Sequence, residues 1–229
     1  VLKALERQGL VAIATQAGDR RRRHVGLTQR GQAEWVAYDS LSDDLARSLL
    51  DPLNPAQRER LLSAMAEVEA LMTAAAVTIA IEPPDGAAAR HCLDAYFSEL
   101  ADRFDSGFDP TKGSSAPDDA ALLPPDGCFM IARLHGRPIG CGGLRTLEPG
   151  MGEIKRMWVA PDARGLGVAK RLLGALEEHA RKLGMGSVRL DTNRVLTQAQ
   201  SMYRKAGYRD IGRFNDNPYA DFWFEKEIA

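Results

Sequence analysis

Val159-Ala160-Pro161-Asp162-Ala163-Arg164-Gly165-Leu166-Gly167-Val168-Ala169 is the stretch from which the rest of the chain can be read. The residues before it, Gly152 to Val159, have the composition of a strand. After it, Ala169, Leu172, Leu173, Leu176, Ala180 and Leu183 recur at helical spacing, and Gly184 stands where a helix would stop. The stretch is therefore a strand-to-helix turn, with a helix expected over about 165–183 and both glycines at its N-terminus. Unpaired N–H groups and the positive end of the helix dipole attract anions there, and glycines let a phosphate approach the backbone. Arg164 adds a charged donor. The pattern is neither GxGxxG nor GxxxxGK[ST], so dinucleotide and nucleoside-triphosphate sites match it poorly. A tightly packed turn without a ligand is the alternative reading.

Working outward, strands are expected at about 128–135, 138–146, 152–159, 187–192 and 222–228, and helices at about 86–104 and 198–206. A loop rich in Pro, Gly and Asp fills 105–127, long enough to be functional. Strands interleaved with helices give an α/β or mixed α+β domain. A boundary falls near 75–85, where an alanine run passes into a short strand closed by Pro83 and Pro84. Before it lies a smaller, mainly helical segment. Residues 1–10 read as the last turns of a helix, LVAIATQ as a strand, AGDRRRR as a charged hairpin tip and HVGLT as the returning strand. Thr28 is placed to cap a helix over 29–50. Asn54, Pro55 and Gln57 open another.

Of the 229 residues, 45% are hydrophobic and 27% charged, which suits a globular protein and excludes collagen-like or wholly disordered chains. Thirty basic against 31 acidic side chains leave a net charge of -1, so no overall excess points to nucleic acid or membrane. The distribution is uneven: residues 1–30 carry seven basic and two acidic side chains, and residues 128–229 seventeen and eleven. Cys92, Cys128 and Cys141 have neither zinc spacing nor a disulfide framework, and His24, His91, His135 and His179 lack metal spacing, so no metal is expected. No apolar run reaches membrane-span length and no signal peptide is recognisable, which leads to the expectation of a cytoplasmic protein. The chain opens at Val1 within a helical pattern, so the natural N-terminus is expected to precede it.

On the residues already quoted, residues 78–229 resemble the GNAT superfamily of N-acetyltransferases. Its signature Arg/Gln-x-x-Gly-x-Gly/Ala is matched by Arg164, Gly167 and Ala169, with the common additional Gly165. The resemblance implies a mixed, mostly antiparallel central sheet and acetyl-CoA as acetyl donor. It places the pyrophosphate on the amides of Arg164, Gly165, Leu166, Gly167, Val168 and Ala169, and the pantetheine arm against the backbone of Met157, Trp158 and Val159. Acetyl transfer to an amine requires the ammonium to lose a proton and the departing thiolate to gain one. The resemblance assigns Glu153 as the base, directly or through water, although Lys155 and Arg156 nearby could make it a paired surface carboxylate. It assigns Tyr203 as the acid, the alternative being a core aromatic. Tyr203 lies in a helix expected to begin with a capping box, Thr197 to Gln200. Asn193 commonly touches the cofactor in relatives, with loop capping as the alternative. Phe108, Asn215, Asn217 and Tyr219 are candidates for acceptor binding, since amides and a phenol beside aromatic walls are usual pocket material. Asn-Asp-Asn-Pro is equally a turn signal.

Residues 1–75 resemble the second half of a MarR-type winged helix-turn-helix. The resemblance rests on LERQGLV, on Gly18-Asp19-Arg20-Arg21-Arg22 as the wing, and on VGLTQRGQ leading into long helices. It implies DNA contact through Arg20, Arg21, Arg22 and Arg23, a charged solvated turn being the alternative. The first helices and most of the recognition helix of that fold are absent before Val1, and a homodimer is left open. The expected function is acetyl transfer from acetyl-CoA to a primary amine of a small molecule, attached to a DNA-binding regulator domain. The alternative is a regulator whose second domain senses acetyl-CoA or an amine with little turnover.

Overall fold

Side-chain chemistry at the helix starts shapes the first part of the chain. The computed structural model describes residues 1–16, 19–105, 107–112 and 119–228, with residues 15, 16 and 19–23 as backbone only. Two compact units divide it, Val1–Glu67 and Val68–Ala229. In the first, α1 (Leu2–Arg7) leads into an antiparallel hairpin of β1 (Val11–Gln16) and β2 (Asp19–Leu27), followed by α2 (Gln29–Leu50). The Thr28 hydroxyl accepts from the Gly31 N–H at 3.0 Å and donates to the Gly9 carbonyl at 2.6 Å, which fixes where α2 begins. α3 (Pro55–Ala75) starts with a reciprocal box. The Gln57 N–H donates to Asn54 Oδ1 and the Asn54 N–H to Gln57 Oε1, both at 2.9 Å. α2 leaves Trp35, Leu41, Leu45 and Leu49 exposed. The expectation that Arg20 to Arg23 form the hairpin tip is corrected: β2 begins at Asp19, so the arginines belong to the returning strand. Their side chains, and residues 17 and 18, lie outside what is described, and with them the phosphate-contact reading.

The second unit is built on a seven-stranded sheet in the order β3-β4-β5-β6-β7-β9-β8. The strands are β3 (Val77–Ile81), β4 (Gly127–Leu134), β5 (Arg137–Glu148), β6 (Met151–Val159), β7 (Ser187–Thr192), β8 (Arg209–Ile211) and β9 (Phe222–Glu227). The β6–β7 pair is parallel and the other pairs are antiparallel. Helices α4 (Ala87–Arg103), α5 (Val168–Lys182) and α6 (Thr197–Lys205) complete it. β5 shows why the sheet is covered on both faces. A Cβ on Gly140 or Gly142 would press on Leu172 or Leu176 of α5, while Cys141 between them is buried with Cys92 of α4 in the same core. At Gly142 that Cβ would lie 2.6 Å from Met157 Sδ and 2.9 Å from Leu176 Cδ1, so only glycine lets α5 pack this closely. Phe129, Ile131, Leu144, Leu172, Leu176 and Phe224 are fully buried, each contributing about 1.5–3 kcal/mol over an exposed position.

The strands and helices expected for this region occur within a few residues of their expected bounds, with three differences. α5 starts at Val168, not near 165. β8 is a three-residue strand that sequence reading missed. The capping box at Thr197 does not form: Leu196 is the cap, and Gln200 Nε2 reaches back to the carbonyls of Asn193 and Arg194 at 3.0 Å. No helix among the described residues is long and apolar enough to cross a membrane.

Candidate active site

One irregularity in β6 opens the site. Cys141 pairs with Trp158 and Gly143 with Lys155, so Arg156 and Met157 together stand opposite Gly142 in a β-bulge. Arg156 takes φ 57°, an uncommon conformation for a side-chain-bearing residue that costs on the order of 1–3 kcal/mol. It is held there by its guanidinium on Asp119 Oδ1 at 2.7 Å and by the Cys141 thiol, which donates to its carbonyl at 3.3 Å. Past the bulge the strands part: β7 pairs with Met151, Gly152 and Glu153 of β6 and no further. The edge of β6 from Ile154 to Val159 that turns toward β7 has no strand partner among the described residues.

A cavity of about 410 Å³ occupies this gap. Met157, Trp158 and Val159 form one side and Arg164, Gly165, Gly167, Val168 and Ala169 another, whereas Leu166 turns its side chain into the core. Gly165 and Gly167 adopt φ 88° and 72°, and a Cβ on either would meet open space. Backbone conformation, not crowding, therefore demands glycine in this turn. The first amides of α5 point outward without intrahelical acceptors, as an anion site requires. Arg164 is less free than expected. It donates to the Val159 carbonyl at 3.1 Å and to Glu99 Oε2 at 2.6 Å, and Glu99 also takes Trp158 Nε1 and Arg103 at 3.0 Å. Partial burial pushes the Glu99 carboxyl up, but the bonds from Arg164, Trp158 and Arg103 outweigh it and hold the pKa below the usual range.

A second, smaller cavity of about 100 Å³ adjoins the first, and Tyr96, Met157 and Tyr203 line both. Tyr203 is 5% exposed, with its ring against Tyr208 and Phe224 at 5.8 and 6.0 Å between centroids. Burial, aided by the nearby charge of Asp191, pushes its pKa up, so the phenol keeps its proton. Phe108, Asn217 and Tyr219, three of the expected acceptor residues, line the smaller cavity; Tyr219 stacks on Phe108 at 4.8 Å and accepts from the Asp109 N–H at 2.9 Å. Asn215 sits behind the wall and bridges Glu153 and Asp191 through Nδ2 at 3.2 and 2.5 Å. Asn193 also lines this cavity, not the larger one. Its side chain is spent on the Tyr219 carbonyl and the Val195 N–H, so the loop-capping alternative describes it.

Glu153 requires the main correction. It is 0% exposed and lines neither cavity. Arg145 Nε donates to it at 2.6 Å and Lys155 Nζ lies 3.5 Å away, so it is the carboxylate of a buried ion cluster, and direct contact with an acceptor in either cavity is closed to it. The carboxylate that does line the smaller cavity is Asp191 on β7, which sequence reading missed. Asn215 and Asn217 donate to its two oxygens at 2.5 and 2.7 Å. Burial pushes its pKa up, against the lowering effect of those amides and of Lys155.

Comparison with known proteins identifies the family and the fold. The model of the acetyltransferase (GNAT) family matches residues 93–208, half of the chain. An IAA acetyltransferase of Azospirillum brasilense is 37% identical over 122 residues, 53% of this chain and 78% of that protein. A solved GNAT-family acetyltransferase of Staphylococcus aureus aligns with TM-score 0.58 at 21% identity, over 67% of this chain and 100% of its own. An aminoglycoside 6'-N-acetyltransferase solved with coenzyme A aligns with TM-score 0.50 at 15% identity, over 66% and 97%.

Proposed function

The chain belongs to the GNAT family of acetyltransferases, enzymes that use acetyl-CoA as donor, and from that premise we propose that it acetylates a primary amine of a small molecule. The observation that carries this reading is the meeting of two cavities at Tyr203. The larger suits the donor: the outward amides of the glycine turn, at the positive end of α5, offer a pyrophosphate its hydrogen bonds. The unpartnered edge of β6 at Met157 to Val159 offers the pantetheine amides a strand to pair with. The smaller suits the acceptor. Tyr203, protonated and facing both, gives its proton to the departing thiolate. Bound donor supplies an activated acyl carbon, so the protein needs only to orient the amine, take its proton and neutralise the leaving sulfur. Direct attack in a ternary complex is the route that two adjoining cavities, one for each reactant, support.

For residues 1–75 we infer the wing and following helices of a MarR-type domain that meets DNA through Arg20 to Arg23. The succession of helix, hairpin and Thr28-capped helix supports it. The test of the enzymatic reading is thiol release from acetyl-CoA across a panel of amines. Turnover on at least one is expected. Tight acetyl-CoA binding with no turnover on any would overturn it in favour of a sensor.

A further inference from the structure

The chemistry of the smaller cavity narrows the acceptor beyond a primary amine. Besides Tyr203, the rings of Tyr96, Phe97, Phe104, Phe108 and Tyr219 line it, these five with neighbouring centroids 4.8 to 5.9 Å apart. Asp191 is the one carboxylate among the described lining residues. Of the lining cations, Lys155 lies 3.5 Å from Glu153 and also acts on Asp191, and Arg156 holds Asp119 at 2.7 Å. We propose that Asp191 receives the acceptor's ammonium and that the surrounding rings hold a flat aromatic body, so that the substrate is an aryl-substituted alkyl amine. This deepens the acetyl-transfer reading above and rests on it.

Several features of the cavity lead to that class. A carboxylate offers about four lone-pair directions, and Asn215 and Asn217 take one on each oxygen, leaving room for an ammonium. The two amides also fix the carboxylate's orientation, so it arrives at the reaction already aimed. Aromatic faces attract both flat rings and the cationic end of the ligand. The volume of about 100 Å³ is two-thirds of the apolar cavity of about 150 Å³ that holds benzene, so a single ring takes up the whole cavity and its open side as well. A polyamine would bring a second ammonium to a site with no second carboxylate. An amino sugar would bury hydroxyls against rings.

In the reaction the ammonium passes one proton to Asp191, and the freed nitrogen lone pair attacks the thioester carbonyl carbon. The C–S bond breaks with its electron pair on sulfur, which takes the Tyr203 hydroxyl proton. The second proton from nitrogen restores Tyr203, and Asp191 returns its proton to solvent. The products are the amide, the thiol and one released proton, so atoms and charge balance.

The experiment measures kcat/KM by thiol release for phenethylamine, tyramine, spermidine, glucosamine and glycine with wild type, Asp191→Asn and Phe108→Ala. Acetyl-CoA affinity and melting temperature accompany each variant. Arylalkyl amines should exceed the other classes at least tenfold. Asp191→Asn should lower their kcat/KM by about 10²- to 10⁴-fold, since it removes the group that takes the ammonium's proton, with acetyl-CoA affinity kept. Phe108→Ala, which leaves Asp191 and its amides in place, should cost aryl amines about 2- to 10-fold and spermidine nothing. Preference for spermidine, glucosamine or glycine, or wild-type kcat/KM in Asp191→Asn, overturns the proposal while leaving acetyl transfer standing. No turnover on any amine overturns both.

Discussion

Replacing Tyr203 by phenylalanine isolates a single hydroxyl. The ring contacts to Tyr208 and Phe224 at 5.8 and 6.0 Å survive in phenylalanine, so the core side of α6 is unchanged. No hydrogen bond ties the Tyr203 hydroxyl to another described residue, so its removal strands no buried partner. The stability change should stay within about 1 kcal/mol, where an unsatisfied partner would cost about 1–3. Turnover should respond very differently. A positioned acid contributes on the order of 10² to 10⁴ in rate, which is about 2.7–5.4 kcal/mol of barrier. The sign of the pKa shift fixes the pH behaviour. Burial and the charge of Asp191 raise Tyr203 above its ordinary 10.0, so the acid stays protonated below that value, and wild-type kcat should show no loss of acid up to about pH 10. Steady-state thiol release on the best amine, with calorimetry for acetyl-CoA and a thermal melt, makes the measurement. A Tyr203→Phe enzyme with turnover within threefold of wild type would refute the assignment. So would a loss explained by weaker acetyl-CoA binding alone.

Other perturbations separate the remaining parts of the site. Gly167→Glu places a side chain at φ 72°, costing the fold about 1–2 kcal/mol without a clash, since a Cβ there meets nothing within 4 Å. A like charge about 4 Å from a phosphate opposes binding by ~4 kcal/mol at an effective dielectric of about 20, roughly a thousandfold. Unchanged acetyl-CoA affinity by calorimetry would reject the turn as the anion site. Glu153→Gln leaves Arg145 and Lys155 facing each other without the carboxylate that joins them, so it should cost about 3–5 kcal/mol in denaturant unfolding. Unaltered stability with a rate loss above a hundredfold would restore Glu153 as the base. If the MarR-type proposal holds, changing Arg20 to Arg23 to alanine should weaken duplex binding and shallow its log–log salt slope by up to about 0.9 for each phosphate no longer neutralised. An unmoved slope would make these arginines solvated surface.

What could be read from the sequence follows from what has a period. The α5 stripe, the alternation of β7 and the glycines of the turn each leave a mark within a few residues, and those marks bring Arg164 to Ala169 and Tyr203 to one cleft. The bulge leaves no such mark. Lys155-Arg156-Met157-Trp158 reads as uninterrupted strand, and a single extra residue there shows only against its partner β5. Asp191 was missed for a related reason. In Ser187 to Thr192 the buried positions are Val188, Leu190 and Thr192, so Asp191 falls with Ser187 and Arg189 on the face that alternation assigns to solvent. It is enclosed only because β7 has left β6 by that point and the 215–219 turn folds its amides over the gap. Glu153 errs in the opposite direction: its neighbour Lys155 suggested a surface pair, whereas Arg145 reaches it from β5, eight residues away in sequence, and closes it in. The divergence that bares the β6 edge is thus the divergence that brings Asp191 into the smaller cavity. Restoring regular pairing at Arg156 and Met157 should therefore damage both halves of the site together.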